Sequence, residues 1–557
     1  MNLGVRYEYT TTPFGIRSQS LNQIASVPGL VDFSSPRAPK NDWGPRLGFA
    51  YSPGKKGQTS IRGGFGIAYD VHYDNMGILS LPPELQVTEN SAPTANIPNF
   101  LANGGLLPGK GGITVYDLSN PKCTGFASAV ACARAFTTTY YPPNVKDPKS
   151  LDWTLGVQHT FWSDYTAEIR YIGTRGIHLD VQEIVNFAPQ VTPNLFLPTY
   201  INNVPSQAAL DASTISLATI RNSSDGIAPA YDAAGFNSGL PLTAFEPDGS
   251  STYHGLAALV TRRMSHGVQF IAAYTYSHLI DNSTADVHST DLTPRRPQDF
   301  QNLNADRSNS ALDHRHRFTM TFFYQEPYFR NSGAFLRNTL GGWQFAPVYT
   351  YQSGEWATAQ DGVDANLNGD SAPDRPIFNP SGVGVTGSGV APLCRSSIPA
   401  ADCTLANVLN PAVTDPTTGT VYNVQNNVVG YSALNPKAKY IQAYYGALGN
   451  VGRNTILMPP INNFDATAIK NFTITERFRV QFGVQAFNLL NHPQFIACCA
   501  VGAGPGALGG ATNQVTSTGI TGSPRAALEP QTGIFNNFSA VFPSEARALQ
   551  LSLKILF

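Results

Sequence analysis

Four residues place side-chain oxygens at alternating positions in one short stretch, Asp364, Asn366, Asn368 and Asp370, with Gly369 before the last. Hard oxygen ligands at this spacing, with glycine in the sixth place, are the chemistry of a Ca²⁺ loop. A helix-flanked loop of that type closes on glutamate at the twelfth place, where this chain has Arg375. Two readings stay open. Either Ca²⁺ stiffens a loop here, or the stretch is a plain Asn/Asp/Gly turn. No other cofactor is expected. The six cysteines are few for 557 residues. Cys123 and Cys132 enclose eight residues, as do Cys394 and Cys403, while Cys498 and Cys499 are adjacent. Paired two-residue zinc spacings are absent. Two short loop disulfides in an oxidising compartment are expected, against the alternative of incidental thiols.

Other reactive groupings fall short of a site. His314 and His316 flank Arg315 at the base of a strand, and alternation places both on one face. A joint metal site or a solvated pair would each fit. His288 with Asp286 and Asp291 forms a loop cluster lacking a further ligand. Gly504, Gly506 and Gly509 match G-x-G-x-x-G, but no strand-to-helix context surrounds them. No serine–histidine–acid arrangement or G-x-S-x-G elbow stands out. The chain is therefore not expected to be an enzyme.

The elements that carry these residues are strands. Only 13% of residues are charged, against about 25% in soluble domains. Charged helices and coiled coils are thereby disfavoured. Balanced charge, net −1, gives no basic field for nucleic acid. Apolar and polar residues alternate in segment after segment, as in Trp153-Leu155-Val157-His159-Phe161 and Phe478-Val480-Phe482-Val484. Short turns join Arg46–Ser52 to Ser60–Asp70, Leu151–Phe161 to Tyr165–Gly173, Tyr253–Arg263 to Val268–His278, and Phe464–Thr473 to Arg477–Leu490. A somewhat longer segment joins Phe318–Glu326 to Leu340–Ser353. Between these pairs run long Gly/Pro/Asn/Ser-rich stretches, roughly 10–45, 71–148, 175–252, 280–313, 355–463 and 491–545.

Short connections on one side and long ones on the other are the signature of an all-β, antiparallel, transmembrane outer-membrane β-barrel. The expected fold has twelve visible strands, short periplasmic turns and long extracellular loops. No run reaches the ~18 apolar residues of a transmembrane helix. The opening Met1–Tyr9 has no secretory signal and already alternates. Lumen-facing charges such as Arg6, Glu8, Arg62, Asp70, Glu168 and Arg170 would wet the interior. The end alternates too. Leu549, Leu551, Leu553, Ile555 and Phe557 form an amphipathic final strand that looks like the assembly signal read by the barrel-insertion machinery.

Several segments resemble the barrel of TonB-dependent receptors, and specifically the Oar-like subgroup with its carboxypeptidase-regulatory-like domain. They are Asp42-Trp43-Gly44-Pro45-Arg46, Tyr171-Ile172-Gly173-Thr174-Arg175-Gly176, Asp313-His314-Arg315-His316-Arg317-Phe318, Gly449-Asn450-Val451-Gly452-Arg453-Asn454 and Ala486-Phe487-Asn488-Leu489-Leu490-Asn491. The resemblance implies a signal peptide, a TonB-contacting segment, a globular plug and a barrel of about 22 strands. Against that pattern, residues 1–557 are expected to be the C-terminal portion of the barrel, without signal or plug. The implied function is TonB-coupled import, across the Gram-negative outer membrane, of a scarce substrate caught by the loops. That substrate could be a small molecule, glycan or peptide. TonB would act through the missing plug. A self-contained porin or a surface adhesin are the alternatives. Tyr140, Tyr141, Tyr200, Tyr440, Tyr444 and Tyr445 either stack on ligand rings or pack the loops together.

Overall fold

Strands with one apolar and one polar face need partners whose pleats match, and each finds them in sequence order. The computed structural model describes residues 1–54, 57–72, 123, 125–223, 228–237, 239–284, 292–329, 331–414, 418–475, 478–496, 524–538, 540–541 and 546–557. Twelve long strands make one antiparallel sheet. They are β1 (Asn2–Glu8), β2 (Asp42–Tyr51), β3 (Thr59–Tyr69), β4 (Lys149–Phe161), β5 (Tyr165–Ile184) and β6 (Thr243–Ser265). Then come β7 (Val268–Asp281), β8 (His316–Gln325), β9 (Trp343–Gln352), β10 (Ile461–Thr473), β11 (Arg479–Phe487) and β12 (Ala548–Leu556). Each pairs with its neighbours in the chain, and two two-residue strands add to the sheet at its margin. Among the described residues β1 and β12 have one neighbour each. No helix among them is long and apolar enough to cross a membrane.

Register carries the alternation across the whole sheet. On one face Leu47 lies between Leu3 and Phe65, and Tyr171 between Leu155 and Leu256. Further along, Tyr349 lies between Met320 and Phe464, and Val484 between Ala468 and Leu551. This face is open: Leu549, Leu551 and Leu553 are 65–68% exposed. On the other face Arg46 lies between Gly4 and Gly66, Gly156 between Arg62 and Arg170, and Gln485 between Thr467 and Gln550. Aromatics end the apolar band. Trp153 and Phe161 sit eight residues apart on β4, about 26 Å at the usual strand rise. At the short-turn end Phe161 stacks on Tyr165, and Trp162 meets both rings edge to face. At the other end the Trp153 indole covers Gly173, where a Cβ would collide with it.

The clearest departures from the sequence reading are at four strand limits. β5 and β6 continue beyond Gly173 and before Tyr253, still paired as far as Ile184 and Thr243. Their outer halves bury Val181, Ala244 and Phe245 under folded loops, a tertiary effect invisible to local composition. β9 begins at Trp343 and not Leu340, because a one-turn helix, Ala334–Thr339, fills the preceding connection. β11 stops at Phe487 and not Leu490. Asn488 and Asn491 adopt φ of 46° and 52°, and the Asn488 side chain clamps the His492 backbone. Asparagine tolerates that left-handed backbone better than most residues.

The hydrophobic cores lie mainly in the long connections, joined by the outer end of β6 through Ala244 and Phe245. The largest gathers Val191, Leu197, Leu217, Ile220, Val428, Tyr431 and Ile441 from segments far apart in sequence. Others form around Phe33 and Leu242, and around Ile456 and Leu528. The described parts of the long Gly/Pro/Asn/Ser-rich stretches therefore form a folded layer on one end of the sheet.

Candidate functional site: a folded loop layer over a polar sheet face

The polar face is built by pairing arginine with glycine. Arg46 opposes Gly66, and Gly156 stands between Arg62 and Arg170. The Arg170 stem lies 3.3 Å from where a Gly156 Cβ would be, so the glycine gives the side chain its bed. Arg62 and Arg170 line a cavity of about 240 Å³ with Ser60, Gln158 and Glu168. Arg6 pairs with Glu8 at 2.9 Å, and Arg170 pairs with Glu168. Such a wall can hold water, an anion or a polar protein surface.

A second cavity, about 420 Å³, lies where this face meets the loop layer. Thr350, Gln352 and Asn463 line it from β9 and β10, with Met458, Ile461 and Phe495 as apolar wall. His314 stands at its edge. One ring nitrogen, Nδ1, is 3.0 Å from the Ser353 carbonyl and the other, Nε2, is 3.2 Å from the Gln352 amide. An imidazole donating at Nδ1 and accepting at Nε2 satisfies both contacts. His316 instead lies on the apolar face, 2.8 Å from the Tyr274 hydroxyl and against the Tyr276 ring. The two histidines expected on one face are thus separated, because the chain becomes a regular strand only at His316.

The layer is riveted by buried charge. Arg453 donates to the carbonyls of Asp281 (2.8 Å) and Asp306 (3.0 Å), to the Thr284 hydroxyl (3.0 Å) and to the Asp281 carboxylate. Both side chains of the pair are 5% exposed. Asn454, at φ 55°, donates to Asn309 O and accepts from Thr293 and Thr358. Arg375 pairs with Asp306 at 2.5 Å. A Cβ on Gly449 would strike the Arg375 carbonyl. The sequence singled out Gly449–Asn454 as a motif but gave it no role; its work is to fasten the loops to the end of β7 and to the connection that follows it.

The Ca²⁺ candidates fall within this layer. The Asp364 carboxylate accepts the N–H groups of Asn368 (3.0 Å) and Gly369 (2.9 Å). Asn366 accepts from Asn368 N–H, and Asn368 from Asp370 N–H. Asp370 receives both prongs of Arg296. Burial raises the Asp364 carboxyl above its ordinary value against those hydrogen bonds. Among the described residues no group of three or more His, Cys, Asp or Glu side chains is placed to hold a metal.

Cys123 and Cys132 are bonded at a Cα separation of 5.4 Å, and Cys394 and Cys403 at 6.1 Å. Cys394 belongs to the main loop core. A bond closing so short a loop contributes about 2–3 kcal/mol. Replacing Cys394 and Cys403 by alanine should speed proteolysis between residues 390 and 428 several-fold and leave the sheet intact. Limited proteolysis with fragment mapping reads this directly; equal rates in both proteins would refute it. The loop tyrosines mostly pack inward. Tyr141 and Tyr440 are buried, and Tyr431, Tyr444 and Tyr445 meet edge to face.

One cluster escaped the sequence reading. His72, just past β3, is buried with Nδ1 3.2 Å from Asp180 and 3.0 Å from the Tyr141 hydroxyl, and Nε2 3.3 Å from Asp147. Asp42 adjoins Asp147. Pairing of Tyr69 with Lys149 sets His72 and Asp147 side by side, which register alone could have shown. Burial by itself would lower the imidazole pKa, but the two carboxylates outweigh it and raise it from 6.5 to about 9. A raised folded-state pKa gives stability that is fully present below the unfolded value and lost as pH rises through the folded one. The contact between the β3–β4 and β5–β6 ends should thus hold up to pH 6.5 and weaken through about 9. Amide exchange near Asp180, corrected for intrinsic rate, should rise over that window, and His72→Gln should abolish the rise.

Cys498, Cys499, Asp286, His288, Asp291, Gly504, Gly506 and Gly509 lie outside the described residues.

The sequence model of the outer membrane beta barrel domain family matches residues 1–527. No curated protein matches the chain. Among solved structures, the outer membrane transporter YddB from Escherichia coli is 8% identical over 81% of this chain and 37% of its own, at TM-score 0.35. The ferric enterobactin receptor of Pseudomonas aeruginosa is 10% identical over 92% of this chain and 40% of its own, at TM-score 0.36. The ferric citrate transporter FecA is 9% identical over 92% of this chain and 38% of its own, at TM-score 0.33. The chain thus spans about two-fifths or less of these proteins. Likenesses of this size carry no weight on function.

Proposed function

The chain belongs to the outer membrane beta barrel domain family, and from that premise we propose that it is the wall and outer mouth of a TonB-coupled receptor that imports a scarce solute. The protein resides in the outer membrane and crosses it with strands whose apolar face meets lipid. One observation carries the functional reading. The described parts of the long connections fold into a packed layer, tied by buried charges to the end of the sheet, with a 420 Å³ cavity where the layer meets the polar face. A preformed, amphipathic cavity at the mouth of a polar wall suits capture of a small ligand. The arginines of that wall suit either an anion or the polar surface of a plug. Binding and gating suffice; no covalent step is required of any side chain. Residues 1–557 would be the C-terminal portion of the barrel domain, and TonB would act on a plug in the intact receptor.

The test is uptake. A strain lacking the protein is compared with its parent for accumulation of ferric chelates, cobalamin, oligosaccharides and peptides, with and without a protonophore. The proposal expects at least one solute whose uptake needs both the protein and the proton gradient. Uptake that survives the protonophore would make the protein a porin. Unchanged uptake of every solute, with altered surface attachment, would make it an adhesin.

A further inference from the structure

The five short connections differ in one respect. Four span a few residues, while the one between β8 and β9 runs from Glu326 to Gly342 and contains the helix Ala334–Thr339. Its apolar side chains point away from the protein. Phe335 is 78% exposed, Tyr328 73%, and Leu336 and Leu340 are exposed as well.

Lys470 shows on which side of the sheet this connection lies. It pairs with Trp343 and Phe482, residues of the lipid-facing side. A lysine there is costly at the membrane midplane and far less so near its edge. Lys470 lies at the edge, close to the end of β10, and is nonetheless buried. Its ammonium donates to the Thr339 carbonyl, the last of the helix, at 3.0 Å and to the Gly341 carbonyl two residues beyond it. The Trp343 ring lies 4.9 Å from it, and the Trp343 indole N–H donates to the same Thr339 carbonyl. Asn338 exchanges hydrogen bonds with the Thr473 backbone. The connection is therefore folded outward against the lipid side of the wall and fastened there, continuous with the apolar band.

We propose that residues 326–342 form an interfacial foot that sinks Phe335, Leu336 and Leu340 into the periplasmic leaflet of the outer membrane. The occupant is phospholipid at the depth of the headgroup–acyl boundary, where amphipathic segments with aromatic residues settle. The foot would fix the height and tilt of the wall at β8–β10. It depends on the membrane location and on no part of the uptake reading.

The experiment places an environment-sensitive nitrobenzoxadiazole label at Leu336→Cys, Leu340→Cys, Phe335→Cys and, as aqueous reference, Asn331→Cys. Cys498→Ser and Cys499→Ser remove the remaining thiols, and each folded protein is reconstituted in phospholipid vesicles. Labels at 335, 336 and 340 should be quenched at least twofold more by lipids doxylated near the headgroup than by iodide, with blue-shifted emission. The label at 331 should show the reverse preference. Iodide quenching at 335, 336 and 340 equal to that at 331 would overturn the proposal. All four sites are exposed, so the substitutions spare the fold.

Discussion

Leu551→Arg with Leu553→Arg removes the protein from the outer membrane, whereas Gln550→Arg with Ser552→Arg leaves it there. The four positions are consecutive on β12, and register divides them. Leu551 pairs with Val484 and Leu553 with Phe482 on the lipid side; Gln550 pairs with Gln485 and Ser552 with Gly483 on the polar side. Arginine on the lipid face costs about 2–4 kcal/mol at mid-membrane, so two cost about 4–8. That is comparable with the whole stability of many folded chains. The same two leucines belong to the proposed assembly signal with Leu549, Ile555 and Phe557, so insertion should fail as well as stability. The fraction migrating as a folded, heat-modifiable band in isolated outer membranes should fall at least tenfold for the first pair and less than twofold for the second. Equal losses in both pairs would mean that the register does not set the lipid face.

Arg453→Ala loosens the loop layer and spares the sheet. Removing the guanidinium strands the Asp281 carboxylate, 5% exposed, and frees the Asp306 and Thr284 contacts. Breaking a buried pair in this way costs about 3–5 kcal/mol. Hydrogen exchange in residues 355–460 should quicken by two to three orders of magnitude, while amides within β8–β11 keep their protection. Asp281→Asn combined with Arg453→Met should recover most of the loss, because neither partner is then left charged and alone. Faster exchange throughout β8–β11 would show that the rivet holds the sheet and not the layer.

The contrast between sheet and layer explains what the sequence could reveal. A wall between lipid and water imposes the same two-sided demand on every strand, so period-two alternation runs undiluted from Leu3 to Ile555. Twelve strands, their order and the side of the long connections were legible from that pattern alone. The layer obeys no local period. Its core takes single residues such as Val191, Leu217, Val428 and Tyr431 from connections separated by the strands themselves. Composition there reads as loop because Gly, Pro and Asn make the turns, while isolated apolar residues do the packing. The outer halves of β5 and β6 were lost to the same cause. His72 and Asp180 come together only through a strand with bulges near Leu179, where no spacing rule applies. The motif at Gly449–Asn454 was visible as a pattern, yet its partner Asp281 ends β7 and Asp306 lies on another connection.

The most direct measurement is nitroxide scanning of β9 in the membrane, one residue at a time from Gln344 to Thr350. Collision with dissolved oxygen reports lipid, and collision with a water-soluble nickel chelate reports the polar side. Strict alternation is expected: oxygen dominates at Phe345, Pro347 and Tyr349, and the chelate at Gln344, Ala346, Val348 and Thr350. A profile without a two-residue period, or with the two sets exchanged, would contradict it.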